Sequence, residues 1–433
     1  MKNLFSTKRK KETKLSMRND FERDYDKVIF SDAFRRLNAK TQVFPFMRFD
    51  QSARNDNIHT RLTHSLEVSS VGRSLGFAFG RLLKKREEYN EPYEVAVLTQ
   101  VACLIHDLGN PPFGHMGEYA IREWFGNEGN KYLENLDEEL KYDFLLFEGN
   151  AQGFRFVTKM DDSYVDYGMN LTFASLASIV KYPWVSSDER AKDKKKFHVF
   201  YSEKDIFEEV FNDLGLKKDG EFIRHPVSYL MEAADDLCYR ILDIEDGVEL
   251  GLLSYEEAKE VLLKVIKLKY DDFNINENLS KNQKIAQLRG AAISSLAHLV
   301  FEEFEKNLEK ILKGKFKQDL LTSLEENNKL VSEILDDVNK IYNKLFNSKN
   351  EIELGSYELM NILLKTFVDA VWKFHNGKLG YNEKLAIKIL GNYAPLEENT
   401  YFENLHRVMD FIAGMTDNYA LYLANQLRGN FKG

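Results

Sequence analysis

One short stretch of this chain, residues 101–118, joins an apolar helix, an abrupt helix stop and a cluster of ionisable groups. It reads VACLIHDLGNPPFGHMGE, and the apolar spacing predicts a helix over residues 94–106. The glycine and two prolines that follow cannot continue this helix, so His106 and Asp107 stand at a helix end beside a rigid turn. The pair could meet at one metal ion, although isolated His-Asp pairs also occur at helix ends without any function. Beyond the turn, His115 and Glu118 are three positions apart and share one helical face.

The remaining sequence predicts an all-α protein. Only 7 of the 433 residues are proline, and long runs rich in Leu, Lys, Glu and Ala favour helices. Spacing and turn residues predict helices at 58–85, 255–271, 284–313, 316–347, 351–376 and 381–391, with a final pair broken near Gly414. Residues 1–17 are basic and poorly patterned, which predicts a solvated tail.

The helix at 58–85 carries a histidine on its buried stripe. His64 is in register with Val68, Leu75 and Phe79, at helical spacing. A lone histidine on an apolar face is more often an ordinary core residue than a ligand. Arg61 lies one turn earlier, on nearly the same face.

A second helix carries a polar stripe through apolar surroundings. It begins at Pro226, and Asp235, Tyr239 and Asp243 follow at positions i, i+4 and i+8. A helix with apolar groups on most sides is buried, and burying two carboxylates without metal or cationic partners is costly. We therefore expect Asp235 to be bound to another group.

Together, three predicted helices present ionisable groups on largely apolar faces. The four candidate ligands are His64, His106, Asp107 and Asp235. Two imidazoles and two carboxylates suit a divalent cation such as Mn²⁺, Mg²⁺, Fe²⁺ or Zn²⁺, which could acidify a water molecule into a nucleophile.

Composition excludes several other classes of protein. The net charge of −9 argues against a protein built mainly to coat nucleic acid. No window approaches 18 uninterrupted apolar residues, and the first residues contain no apolar signal segment, so we expect neither a membrane span nor a secretory signal. Two cysteines cannot form a disulfide framework, and a cytoplasmic location is expected.

A set of collinear motifs supports a family resemblance. The His, His-Asp and Asp order resembles the HD superfamily of metal-dependent phosphohydrolases. RRLNAKTQVF, TRLTHSLEV, HDLGNPPFGHMGE, FEGNAQGFR, KYPW, MEAADDLCYRILDIEDG and DFIAGMTDNYA, in this order, resemble the bacterial deoxyguanosine triphosphate triphosphohydrolase family. The resemblance implies a single domain over 1–433, with an HD metal-site core at 58–250. Additional C-terminal helices, 251–433, would complete the pocket and make oligomer contacts.

The resemblance also implies an activity and its residues. Members hydrolyse dGTP, and some of them other dNTPs, to the deoxynucleoside and intact triphosphate, with water attacking the α-phosphorus. Mn²⁺ or Mg²⁺ is the expected cofactor at His64, His106, Asp107 and Asp235. His115 matches the catalytic histidine, oriented by Glu118, and its role as acid, base or nucleophile stays open. The substrate-binding positions would be Gln42, Val43, Arg61, Asn150, Lys181, Lys196, Tyr239 and Asp243, with Arg407 placed near the pocket.

Two other functions are also compatible with the sequence. One is an HD phosphodiesterase or 5′-nucleotidase acting on other nucleotides. The other is a non-catalytic sensor that binds nucleotide or single-stranded DNA, suggested by the basic tail and opposed by the net charge. The family further implies a homo-oligomer, often a hexamer, and activation by single-stranded DNA or by a second dNTP.

Overall fold

The computed structural model describes residues 1–12, 17–40, 59–159, 167–346 and 350–431. Within these ranges the prediction of an all-α protein is confirmed, because nineteen α-helices account for most of the chain. The described β-structure is one antiparallel ribbon of two-residue strands, together with two isolated bridges. No described helix combines the length and apolar character needed to cross a bilayer.

The helices are numbered here in chain order. They are α1 (Asp20–Phe30), α2 (Asp32–Arg36), α3 (Arg61–Lys85), α4 (Pro92–Ile105), α5 (His115–Gly126), α6 (Glu138–Leu145), α7 (Gly149–Lys159), α8 (Phe173–Ser178), α9 (Glu189–Lys194), α10 (Lys204–Asp213), α11 (Pro226–Glu249), α12 (Tyr255–Lys267), α13 (Lys281–Leu312), α14 (Leu320–Asn327), α15 (Lys329–Phe346), α16 (Asn350–His375), α17 (Tyr381–Leu390), α18 (Tyr401–Ala413) and α19 (Asp417–Leu427). The strands are β1 (Lys217–Lys218) and β2 (Glu221–Phe222), between α10 and α11.

The apolar side chains form two cores. The first unites α1, α3, α4, α8 and α10 to α15, with α3 and α4 packed along each other. The second unites α5, α7 and α16 to α19. Leu108 is buried in the first core and Phe113 in the second, so the turn after the His-Asp pair runs from one core to the other. The groups carried by this turn are therefore held from both sides.

Local capping chemistry sets where the site-bearing helices begin. Thr60 and Thr63 form a reciprocal capping box at the start of α3. Pro92 and Pro226 occupy the first turns of α4 and α11, where a missing backbone N–H is harmless. The His225 side chain accepts a hydrogen bond from Val227 N and satisfies another free donor of α11.

The N-terminal segment is not the solvated tail that its composition predicts. Residues 1–12 pack on the first core, where Leu4 is 8% and Phe5 4% exposed. The buried Arg9 pairs with Asp24, and the Phe173 amide donates to the main chain of residue 8. These partners neutralise or satisfy polar groups that would otherwise keep the segment in water.

The predicted helix at 316–347 is also wrong as a single element. Two helices, α14 and α15, occupy this range and meet at Asn328, whose backbone is extended. The Asn328 side chain accepts a hydrogen bond from Val331 N at 3.3 Å, so it caps the second helix instead of continuing the first.

Candidate metal centre

The first candidate ligand lies on α3. His64 is 1% exposed and faces α4, as the apolar stripe predicted. Its ring lies edge-on to that of His106, with 5.5 Å between the ring centroids. The two imidazoles from separate helices are therefore neighbours in a buried region.

The second candidate ligand ends α4. His106 Nδ1 lies 2.6 Å from the carbonyl oxygen of Cys103, and because a carbonyl can only accept, Nδ1 must be the donor. Nε2 is then the atom that can offer a lone pair. It is buried and makes no hydrogen bond to any described residue. Such an arrangement fixes ring orientation and tautomer for metal binding.

The third candidate ligand comes from α11, far along the chain. Asp235 Oδ1 lies 3.1 Å from His64 Nε2 and 3.3 Å from His106 Nε2. One ligand atom from each of these three residues falls within 4.8 Å of the other two. Residues from three helices that are far apart in sequence thus lie together.

Asp107 stands at the edge of this group. Its Oδ1 is 3.7 Å from His106 Nε2, while Oδ2 accepts a hydrogen bond from Arg61 Nη1 at 2.9 Å. The Asn110 amide also donates to Asp107. Oδ1, which faces the cluster, therefore accepts from Asn110, and Oδ2 accepts from Arg61, so neighbouring side chains orient both oxygens.

Charge around the cluster is balanced by protein cations. Burial would raise the pKa of Asp235, but the charges of His106 and Lys181 hold it well below its ordinary value. Burial likewise opposes ionisation of Asp107, yet Arg61 and the histidines lower its pKa to about 2. The pKa of His106 is raised to about 9, because the two carboxylates outweigh the effect of burial.

These features suit a divalent cation. Two imidazole nitrogens and carboxylate oxygens are a typical donor set for a borderline or hard metal. Nε2 of His106, once its proton has left, and two ionised carboxylates would supply lone pairs and negative charge in one place. A bound cation would take the place of the proton on His106, since a ligating imidazole must be neutral.

A second pair lies on α5, after the turn. His115 Nδ1 is 3.1 Å from Glu118 Oε2, and the histidine side chain is 74% exposed whereas Glu118 is buried. The other carboxylate oxygen accepts a hydrogen bond from Gly149 N at 2.9 Å. Burial would raise the pKa of Glu118, but the hydrogen bond from His115 and nearby cations lower it to about 2. An ionised carboxylate thus orients an accessible imidazole.

The three cations among the predicted substrate-binding residues each pair with a carboxylate. Arg61 donates to Asp107, and Lys181 Nζ lies 3.3 Å from Asp235 Oδ2. Lys181 thus contacts a member of the His-His-Asp cluster directly, and Arg61 contacts Asp107 at its edge. Lys196 Nζ lies 2.6 Å from Glu148, whose charge it offsets.

Sequence reasoning missed Glu148. This residue is 0% exposed, and its Oε1 accepts from both Lys196 at 2.6 Å and the Asn150 side chain at 3.0 Å. Glu148 therefore brings two of the predicted substrate-binding residues together. The FEGN motif contained it, but only the fold reveals its partners.

The remaining predicted substrate-binding residues lie on α11, on α18 or outside the described residues. Tyr239 and Asp243 lie one and two turns after Asp235 on α11, half-buried and buried respectively. Gln42 and Val43 lie outside the described residues. Arg407 donates to the carbonyl oxygens of Ala394 and Asn392, so its guanidinium is bonded to the main chain between α17 and α18.

Comparisons with known proteins give consistent similarities. Residues 61–151 match the HD domain family model, a range that contains His64 and His106 but not Asp235. The chain is 40% identical over 423 residues to a deoxyguanosinetriphosphate triphosphohydrolase-like protein of Pseudomonas aeruginosa (strain LESB58), covering 95% of this chain and 94% of that protein. It is 37% identical to the protein of that name from Synechocystis sp., covering 95% and 94%. A deoxyguanosinetriphosphate triphosphohydrolase of Enterobacter sp. (strain 638) is 29% identical, covering 92% of both chains.

Proposed function

The chain belongs to the family of deoxyguanosinetriphosphate triphosphohydrolase-like proteins, and from this premise we propose that it hydrolyses dGTP, with other dNTPs as further substrates. The products are the deoxynucleoside and intact inorganic triphosphate. The observation that carries the proposal is the convergence of His64, His106 and Asp235 from three helices beside paired cations. An HD domain match over the first part of this site agrees with metal-dependent hydrolysis.

The cofactor in this proposal is Mn²⁺ or Mg²⁺. His64, His106, Asp107 and Asp235 would hold it, and their charges and lone pairs suit a hard or borderline dication. When bound, such a cation supplies a Lewis acid that offsets phosphate charge and acidifies water. The buried walls of the site strengthen each electrostatic contact made there.

Three cations would bind the triphosphate, which carries about four negative charges. Arg61, Lys181 and Lys196 are each paired with a carboxylate and so are held close to the site. Guanidinium and ammonium groups make strong, charge-assisted hydrogen bonds to phosphate oxygens. When substrate binds, the three cations would turn from their carboxylates to the phosphate oxygens. These contacts would position the α-phosphorus for attack by water.

His115 would protonate the leaving 5′-oxygen. An alkoxide is a poor leaving group unless protonated, and imidazolium is the usual donor near neutral pH. Because Nδ1 of His115 contacts Glu118, Nε2 points away from that carboxylate. Nε2 is therefore the ring atom that can reach the substrate. Because the His115 side chain is exposed, a substrate can approach it directly.

Discrimination against ribose would come from α11 and the segment after α2. Tyr239 and Asp243 follow the ligand Asp235 on the same helix, and Asp243 can accept a hydrogen bond from a 3′-hydroxyl. We assign Tyr239 the space at C2′, with Gln42 and Val43 completing the sugar contacts. Asn150, held by Glu148 beside Lys196, would face the nucleotide.

The decisive experiment separates the products of each nucleotide. The full-length protein is incubated with each of the four dNTPs and with GTP, with Mn²⁺ or Mg²⁺ and with a chelator. We expect deoxynucleoside and tripolyphosphate by anion-exchange chromatography, fastest with dGTP, and none with chelator. In H₂¹⁸O, attack at phosphorus places the label in the triphosphate and none in the nucleoside.

Other products would overturn the proposal. Release of pyrophosphate or orthophosphate contradicts cleavage between the α-phosphorus and the 5′-oxygen, and label in the nucleoside contradicts attack by water at phosphorus. Turnover of nucleoside monophosphates or cyclic nucleotides alone would instead favour a 5′-nucleotidase or phosphodiesterase. Tight, salt-sensitive binding of single-stranded DNA without turnover of any dNTP would favour a sensor.

A further inference from the structure

The turn between α4 and α5 has an uncommon backbone. Phe113 has φ +66° and Gly114 has φ +59°, so two consecutive residues lie in the left-handed region. For phenylalanine this conformation is unfavourable, because its Cβ crowds the neighbouring carbonyl group. A surrounding structure must therefore hold the turn in place.

The turn directly sets the backbone position of His115. Gly114 is the N-cap of α5 and His115 its first residue, and no described side chain caps this helix start. A Cβ at residue 114 would lie 2.6 Å from Nη2 of Arg61, so the backbone passes close against that side chain. The backbone position of His115 thus depends on the turn and not on a local cap, while Glu118 sets the direction of its ring.

The contact that holds the turn comes from the last helix. The Phe113 N–H donates to Oδ1 of Asp417 at 3.0 Å, across 304 residues of sequence. Asp417 is 2% exposed and begins α19, where Thr416 is the N-cap. Its carboxylate is therefore fixed by a helix start and shielded from water, which strengthens a charge-assisted hydrogen bond.

A second link ties the other end of the turn to the same region. Lys40 Nζ donates to the carbonyl oxygens of Asn110 at 2.5 Å and Ala413 at 2.7 Å. Ala413 is the last residue of α18, four positions before Asp417. The C-terminal helices thus contact the turn at both ends, through one main-chain donor and one bridging lysine.

We propose that Asp417 is a positioning residue for His115: its carboxylate holds Phe113 in the left-handed conformation and so aims the imidazole at the substrate. The proposal rests on the proposed function, because it assigns His115 a catalytic role. It explains why the DFIAGMTDNYA segment, remote from every candidate ligand in sequence, contacts the catalytic turn. Asp417 itself touches neither substrate nor metal in this scheme.

The test compares Asp417→Ala with Asp417→Asn. Asparagine keeps a carbonyl oxygen that can accept from Phe113 N–H, whereas alanine removes the acceptor. We expect Asp417→Ala to lower kcat for dGTP by roughly 10- to 100-fold, because small misplacements of reacting groups cost that much. KM and metal affinity should stay within about twofold, since substrate-binding groups are untouched. Asp417→Asn should keep kcat within about threefold of wild type.

A second readout is independent of activity. Hydrogen–deuterium exchange of peptides covering residues 110–118 reports whether the Phe113 amide is still bonded. We expect exchange there to accelerate roughly tenfold in Asp417→Ala, as loss of one hydrogen bond predicts, and to stay slow in Asp417→Asn. The exposed neighbour is tested as Asn418→Ala, which should match wild type in both measurements.

Loss of stability alone is separated by a remote variant. Ser254→Ala removes the N-cap of α12 and should lower the melting temperature while leaving kcat and exchange at 110–118 unchanged. The proposal is overturned if Asp417→Asn falls as far as Asp417→Ala, or if Asp417→Ala keeps wild-type kcat or exchange. If the wild-type protein hydrolyses no dNTP, the proposed function is overturned, and with it the claim that Asp417 positions a catalytic histidine. Hydrogen–deuterium exchange at residues 110–118 still shows in that case whether Asp417 holds the turn.

Discussion

The ammonium group of Lys181 lies 3.3 Å from Oδ2 of Asp235, the carboxylate whose other oxygen is 3.1 Å from His64. Burial would lower the pKa of Lys181, but Asp235 and neighbouring carboxylates raise it instead. The lysine is therefore a full positive charge beside a proposed metal ligand. Under the proposed function it would compete with a cation for Asp235 and would move toward phosphate when substrate binds.

Replacing Lys181 should therefore separate metal affinity from substrate affinity. We expect Lys181→Ala to tighten Mn²⁺ binding by roughly tenfold, since a unit charge a few ångströms away opposes a dication. The same change should raise KM for dGTP, because one phosphate contact is lost. Titration calorimetry with Mn²⁺ and steady-state kinetics measure the two effects. Lys196→Ala, whose partner is Glu148, is the matched control and should raise KM without changing Mn²⁺ affinity.

The metal assignment makes a prediction that distinguishes two adjacent acids. Loss of a residue that only supports a metal ligand lowers metal affinity or activity roughly 10- to 100-fold. Asp235→Asn removes a proposed ligand itself at constant volume, so we expect metal affinity and kcat to fall further than this. Asp236→Asn changes the next residue of the same helix and should retain bound metal. Metal content after gel filtration, measured by mass spectrometry, compares the variants. Equal metal content in Asp235→Asn and wild type would contradict the assignment.

The buried Glu118 predicts a pH-dependent contribution to stability. Its pKa in the folded protein, about 2, is below the ordinary value of 4.5. A depressed pKa stabilises the fold at pH values above 4.5, and this contribution is lost as the pH falls from 4.5 toward 2. We expect the difference in melting temperature between wild type and Glu118→Gln to be largest near pH 7 and to shrink between pH 4.5 and 3.

The matched control for this experiment is an exposed acid of the same helix. Glu123→Gln makes the same chemical change on the outer face of α5. Its difference from wild type should remain small across the whole range. A Glu118→Gln difference that stays constant with pH would contradict an ionised, hydrogen-bonded Glu118.

The grouping of His64, His106 and Asp235 could be predicted from the sequence for a physical reason. His64 and Asp235 each lie on an apolar helical face, where an ionisable group needs a partner, and His106 lies where a proline turn ends a helix. Periodicity and helix stops are local, so they can be read from the chain. Motif order then suggested that these groups meet, and the three helices do converge.

Contacts between remote residues could not be predicted in the same way. Asp417 and Phe113 are 304 positions apart, and nothing in the spacing of either segment identifies the other. The packing of the N-terminal segment depends on Asp24, on another element, which offsets the buried charge of Arg9. The motifs marked the segments as important, but their pairing is a property of the folded chain.

A buried ionic network joins α7 to α18. Arg155 is 5% exposed, and its Nε and Nη2 each donate to a different oxygen of Asp410 at 2.8 Å. Its Nη1 donates to Glu203 at 2.7 Å, and the Gln152 side chain also donates to Asp410. One guanidinium therefore serves two carboxylates that are almost completely buried.

Removing this guanidinium should destabilise the protein strongly. We expect Arg155→Met, which keeps much of the side-chain volume, to lower the free energy of unfolding by about 3–5 kcal/mol, because it leaves the buried Asp410 carboxylate without its counter-charge. Lys159→Met is the control: its ammonium contacts Glu203 at 3.2 Å, but the side chain is 42% exposed, so its loss should cost at most about 1 kcal/mol. Urea unfolding followed by circular dichroism measures both values. If the two variants lost similar stability, the network would contribute no more than a surface ion pair, and α7 and α18 would be held together by apolar packing.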